Sequence, residues 1–219
     1  MKRTICVISL ILCAVVLMSG CNMLIEARVT KSFEEIMKQF QTGSMPQKEL
    51  DDLLKVFEEE GLTDEGQKDF ADAILNMLKK ITYTVKSCEI DENNKGTYFV
   101  YVDLKTVDGK EIFMSDSFVD ELVDFMFEKV LRGEIDDEEQ LEKELQNYWA
   151  KRILEKSKTA DATKNMSARI TVKYDPEKKA YHFAGRPGET TAFFGFEESD
   201  VASFQEKLDK AVENKAKEF

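Results

Sequence analysis

The spacing of apolar residues changes from near four to two at Thr82, and this change limits the possible folds more than any other feature. Before it, Phe33, Ile36, Met37 and Phe40 recur every three or four residues. Leu50, Leu53, Leu54 and Phe57 do the same, and so do Phe70, Ile74, Met77, Leu78 and Ile81. Each set draws an apolar stripe down a helix whose other side is charged. Gly43 and Pro46 close the first helix (from Ser32) and Gly61 the second (Gln47 to Glu60). Thr63 is placed to cap the third, with Asp64 and Glu65 at the favourable end of its dipole. From Thr82 onward, Tyr83 and Val85 alternate with Thr84 and Lys86 as far as Ile90. Asp91 to Gly96 is turn-rich, and Thr97–Val107 places Tyr98, Val100, Val102 and Leu104 on one face. The pattern predicts a β-hairpin.

Beyond Asp108-Gly109, a short third strand is expected over Glu111–Met114. A helix from Ser115–Asp116 to Arg132 is apolar around most of its circumference, which predicts a central, sandwiched position. Another begins at Asp136 or Asp137 and runs to about Lys158, with Leu141, Leu145, Tyr148, Trp149 and Ile153 inward. Alternation returns over Ala168–Tyr174 and, after the turn at Asp175–Lys179, over Ala180–Ala184. Phe193, Phe194 and Phe196 cluster around Gly195, and a last helix starts near Glu198. The expected class is α+β. N-terminal helices pack on a curved antiparallel sheet of two hairpins, with further helices between and after them, in one domain over 32–219.

The N-terminus reads differently. Lys2 and Arg3 precede the apolar run Ile5–Met18, which is 14 residues long where a spanning helix needs about 20. Ser19 and Gly20 are small and lead directly to Cys21. Leu17-Met18-Ser19-Gly20-Cys21 resembles the lipobox of bacterial lipoproteins, with Met18 standing where Leu, Val or Ile is usual. The resemblance implies a signal peptide over 1–20, recognition through Leu17, Met18, Ser19 and Gly20, and a diacylglyceryl group on Cys21. Residues 21–31 then form a lipidated tether, and the protein sits on the outer face of the cell membrane, or on the outer membrane of a two-membrane cell. Two acyl chains satisfy the condition for stable anchoring. The alternative is an uncleaved signal anchor, which the shortness of the apolar run disfavours.

The chain has 31 Lys and Arg against 43 Asp and Glu. Cleavage after Gly20 removes Lys2 and Arg3 but no acid, so the remaining 199 residues carry 29 against 43, or −14. Such a surface repels nucleic acid and anionic headgroups, so no nucleic-acid partner is expected and lipid must supply the attachment. Of the four cysteines, Cys6 and Cys13 leave with the signal peptide and Cys21 is the acylation site. Cys88 alone remains, which excludes an intramolecular disulfide and fits a small buried hydrophobe.

Helices, hairpin, helices and a closing hairpin form an order that resembles lipoproteins carrying cone-shaped domains of the nuclear-transport-factor-two-like or cystatin-like kind. The matching segments are Ser32–Gly43, Thr82–Val107 and Ala168–Ala184. Tyr181 occupies the place where such domains often have Trp, and Phe183 that of the following aliphatic residue. The resemblance implies a fold type and a membrane address, without an activity.

Catalytic signals are few. His182 is the sole histidine and alternates to the solvent side, so neither a multi-histidine metal site nor a cofactor is expected. Gly185-Arg186-Pro187-Gly188 lacks the lysine and helix of a phosphate loop, and Asp136–Glu139 lacks calcium-loop spacing. The expected role is a non-catalytic binding or interaction module for a protein or small apolar ligand, with 15 Phe and 6 Tyr to line a pocket or fill a core. The alternative is an enzyme using a pocket carboxylate, for which Asp103, on the face of Phe99 and Tyr101, is the candidate. Tyr181 joins it as a pocket candidate, and Phe193, Phe194 and Phe196 are candidates for an exposed apolar patch.

Overall fold

The computed structural model describes residues 24–44, 64–135, 137–184, 189 and 191–218. The stretch read as a signal peptide, Cys21, the helix expected over Gln47–Glu60, the cap expected at Thr63 and the Gly185–Gly188 segment lie outside the described residues. The centre of the fold is a curved antiparallel sheet in the order β1-β2-β3-β4: β1 Thr82–Ile90, β2 Thr97–Val107, β3 Ala162–Asp175 and β4 Ala180–Phe183. The helices are α1 (24–42), α2 Asp64–Leu78, α3 Gly109–Phe113, α4 Asp116–Leu131, α5 Glu138–Thr159 and α6 Glu198–Ala216. Both expected hairpins form, and β2 joins them into one sheet by pairing along its whole length with β3. A bulge in β1 between Val85 and Ser87 shifts the register beside Lys86.

One face of the sheet is buried by helices. Val29, Phe33, Met37 and Phe40 recur at helical spacing and are 5% exposed or less. Their aromatic members lie against Tyr83 and Phe183, with Phe33 5.7 Å and 5.4 Å away respectively, ring centroid to centroid. Beneath them Val100, Val102, Leu104, Ile170 and Val172 form the sheet's share of the core. Ala73, Ile74, Met77 and Leu78 of α2 complete it together with Ala150 and Ile153 of α5. Lys80 donates to the carbonyls of Ser157 (2.8 Å), Lys158 (3.1 Å) and Ala160 (2.5 Å), and so closes the C-terminal end of α5 where free carbonyls and the helix dipole favour a cation.

Four expectations are corrected. Of the tether read over 21–31, residues 24–31 are helical and Val29 is fully buried, so residues 24–31 belong to the folded body. Ile25 and Val29 continue the four-residue spacing of Phe33 and Met37, so the helical stripe runs on upstream of Ser32. Residues 109–113 form α3 rather than a strand: Ile112, Phe113 and Met114 are buried consecutively, whereas a strand would turn Phe113 to the opposite face. The helix expected to be sandwiched, α4, is buried only through Phe118, Val119, Leu122 and Val123. Its far end leaves Val130 49% and Leu131 59% exposed, with Phe125 stacked on Tyr148 of α5 at 4.2 Å. Finally, β3 starts at Ala162, six residues before the alternation becomes apolar, because Ala162–Ser167 pair with the second half of β2.

Candidate functional site

Asp103 lies mid-β2 on the face away from the helices. It is opposite Thr84 in β1 and Ser167 in β3. Its carboxylate accepts from Lys86 at 2.7 Å and from Ser167 at 2.9 Å. These partners hold its proton affinity below the ordinary carboxylate value, the Lys86 bond contributing most. The side chain is half-exposed and borders an open depression of about 490 Å³ lined by Thr84, Lys105, Asn165 and Ser167, among others. Around it the same face continues as paired side chains. Arg169 stacks over Phe99 at 4.6 Å, and Tyr101 donates to Glu89 at 3.3 Å. Asp103 is therefore one ionised, exposed member of a cross-strand polar network. A second cleft, of about 540 Å³, separates α4 from α6 and is crossed by Lys207–Asp116 (2.5 Å) and Lys215–Asp124 (3.2 Å).

Phe193, Phe194 and Phe196 do not form an exposed patch. They are 4%, 0% and 4% exposed and sit in the core, where Phe193 stacks on Phe183 and meets Phe40, while Phe194 and Phe196 meet Phe113. A 3-10 turn over Ala192–Phe194 presses this segment against the end of β2. Gly195 follows it with φ +70°, and a Cβ there would lie 2.1 Å from the Val107 carbonyl oxygen. Gly109 is as close on the other side, its notional Cβ 1.9 Å from the Phe194 carbonyl oxygen. Thr106 donates across the same seam to the Phe193 carbonyl at 2.5 Å. The glycines beside the phenylalanines thus permit backbone-to-backbone packing, which sends the rings inward.

Tyr181 belongs to a group that sequence reading missed. In β4 it pairs with Tyr174 of β3, and its ring lies 5.1 Å from Tyr174 and 5.7 Å from Tyr98. Burial, the largest influence, and the neighbouring Tyr98 raise the Tyr181 phenol above its ordinary value. Tyr174 is 40% exposed. All three side chains project to the helix-covered face by strand parity, and pairing the two hairpins in register would have revealed the group. His182 points the other way and is exposed, as alternation predicted.

The direction of α1 locates its first turn at this same end of the sheet. Gln41, at the C-terminal end of α1, donates to the carbonyl of Ile81, just before β1 begins. Glu26 and Thr30, near its start, act on Cys88 close to the end of β1. The Arg28 charge acts on Tyr181. Cys88 is half-buried against the core, and burial, reinforced by Glu26 and offset by Thr30, pushes its thiol up to about 11. Leu24, the first described residue, is 65% exposed.

No family model matches this chain. Nor does any curated protein match it. Among solved structures, the chain is similar to a provisionally assigned lipoprotein from Bacillus subtilis, with a TM-score of 0.33 and 14% identity. That likeness covers 66% of this chain and 38% of the other, so it identifies no shared activity. It is also not a likeness to a cystatin-like or nuclear-transport-factor-two-like domain, a grouping that rests on element order alone. Among the described residues, no helix is long and apolar enough to cross a membrane and no cluster of three potential metal-binding side chains occurs.

Proposed function

We propose that this protein is an extracytoplasmic lipoprotein, held to a membrane by a diacylglyceryl group on Cys21, whose α+β body acts as a non-catalytic binding or interaction module. The observation that carries the reading is the junction between anchor and body. The 14-residue apolar run ends in Leu17-Met18-Ser19-Gly20-Cys21, and the folded helix α1 is under way at Leu24. A cleavable export segment followed at once by a folded, acidic body suits a protein released outside the cytoplasm and retained by lipid. Element order further supports grouping the body with the cone-shaped domains. Support for a non-catalytic role comes from Asp103: an exposed carboxylate already paired with Lys86 and Ser167 lacks the raised proton affinity of a general acid.

The test is metabolic labelling with an alkyne fatty acid in a bacterial host, comparing the wild type with Cys21→Ser. Label on the wild type and none on the variant is the expected result. Label that persists on Cys21→Ser, or a mature N-terminus elsewhere than Cys21, overturns the reading.

A further inference from the structure

We infer that the tyrosine-bearing end of the sheet is the face that rests on the lipid bilayer, with Tyr98, Tyr174 and Tyr181 at the level of the headgroups. The inference rests on acylation of Cys21 and adds to it an orientation and a contact surface. Three peptide units separate Cys21 from Leu24, a reach of about 10 Å even when fully extended. The start of α1 is therefore confined to the headgroup layer, and whatever lies beside it is confined there too. The contacts of α1 fix which part of the body that is. Thr30 lies beside Cys88, whereas Gln41 donates to the Ile81 carbonyl at the opposite end of β1. Ile90 pairs with Tyr98, so the tyrosines lie beyond Cys88 in the direction of the anchor.

The chemistry of this end fits the place. Leu24 is 65% exposed and Tyr174 40% exposed, two of the large apolar side chains the body leaves to solvent. Tyrosine is enriched at membrane–water interfaces because its ring enters the acyl boundary while its hydroxyl stays with the headgroups. The turns between β1 and β2 and between β3 and β4 lie at the same end and carry Lys95, Lys178 and Lys179 beside Asp91, Glu92, Asp175 and Glu177. With both signs present, this surface offers no electrostatic attraction to anionic lipid. Contact with a zwitterionic bilayer is what an aromatic rim of this kind provides. The opposite end of β2 is about 35 Å away by strand rise, and Trp149, stacked on Phe70 and near Phe113, belongs to that end.

Trp149 is the only tryptophan, which makes the orientation measurable. The full lipidated protein is reconstituted into phosphatidylcholine vesicles with and without brominated acyl chains, as wild type and as Tyr174→Trp. Flotation with the vesicles reports the anchor. Quenching of the emission added in Tyr174→Trp, with Trp149 emission in the wild type unquenched, is the expected result. A protein that floats but shows equal quenching, or none, at the two positions overturns the orientation and leaves the anchor standing. A protein that does not float overturns the lipoprotein reading and the orientation with it. Because Tyr174 is partly exposed, the variant keeps the wild-type melting temperature, and a melt run in parallel checks this.

Discussion

Replacing Gly195 by alanine tests the seam between the end of β2 and the aromatic segment. Two costs combine. At φ +70° a residue with a Cβ loses about 1–2 kcal/mol relative to glycine. The new methyl would also stand 2.1 Å from the Val107 carbonyl oxygen, against the roughly 3.3 Å of a close carbon–oxygen contact. The two backbones must part by about 1.2 Å, and forced overpacking of that kind costs about 1–3 kcal/mol. Gly133 separates the contributions, because it has φ +61° with nothing within 4 Å of its notional Cβ. Gly133→Ala therefore carries only the conformational cost, about 1–2 kcal/mol. Gly195→Ala carries both, about 2–5 kcal/mol. Urea unfolding followed by far-ultraviolet circular dichroism measures the difference, and at a slope of about 1–3 kcal/mol per molar the midpoints separate visibly. Equal midpoints for the two variants would refute the close approach and, with it, the account of why the phenylalanines turn inward.

Thr106→Val leaves the buried Phe193 carbonyl without its donor and is expected to cost about 1–3 kcal/mol, read as a lowered thermal midpoint; an unchanged midpoint shows that the bond contributes nothing. With its thiol pushed up to about 11, Cys88 is expected to alkylate slowly at pH 8 and to accelerate only well above pH 9. A rate profile inflecting near pH 8.5, as for a free thiol, would contradict this. Asp103, Asp116 and Asp200 are all held below the ordinary 3.8 by hydrogen bonds, from Lys86, from Lys207 and from the Glu197 backbone respectively. Their stabilisation is complete above 3.8 and disappears as the pH falls through the lower folded-state values, so the urea midpoint should drop between pH 5 and pH 2. In Lys86→Met the Asp103 share of that drop is lost, and an unchanged acid profile would show the pair to be unimportant.

The strands and their partners were legible because apolar alternation reports burial directly. Tyr98, Val100, Val102 and Leu104 read inward in the sequence, and the three aliphatic members are buried. Where the inward face is interrupted by a charge, as by Lys164 between Ala162 and Met166, pairing with a neighbour makes the strand and its own pattern is weak. Ile112-Phe113-Met114 misled for the reverse reason: a short apolar run carries no period, and helix and strand look alike in it. The phenylalanines flanking Gly195 show a different limit. Glycine beside aromatic residues reads as an exposed turn, but Gly195 serves a backbone contact with residues 87 or so positions away in the chain. Tyr181 was legible as a single residue, whereas its grouping with Tyr98 and Tyr174 required the register of three strands.

Under the proposed lipid anchoring, the two margins of the sheet have a consequence for a protein held on a surface. Copies restricted to one plane collide far more often than copies free in solution, and an open strand margin is where such collisions turn into irreversible polymer. Here β4 is four residues long, and past its end the Glu189 carboxylate takes the backbone N–H of Thr171 at 2.8 Å, occupying a donor that a foreign strand would need. At the other margin the break in β1 at Lys86 interrupts the regular run of donors and acceptors and places a cation beside it. If the proposed anchoring holds, crowding in two dimensions meets one margin broken at Lys86 and another on which Glu189 already occupies the Thr171 donor, while Ala162–Ile170 of β3 is, among the described residues, the stretch without a strand partner on its β4 side.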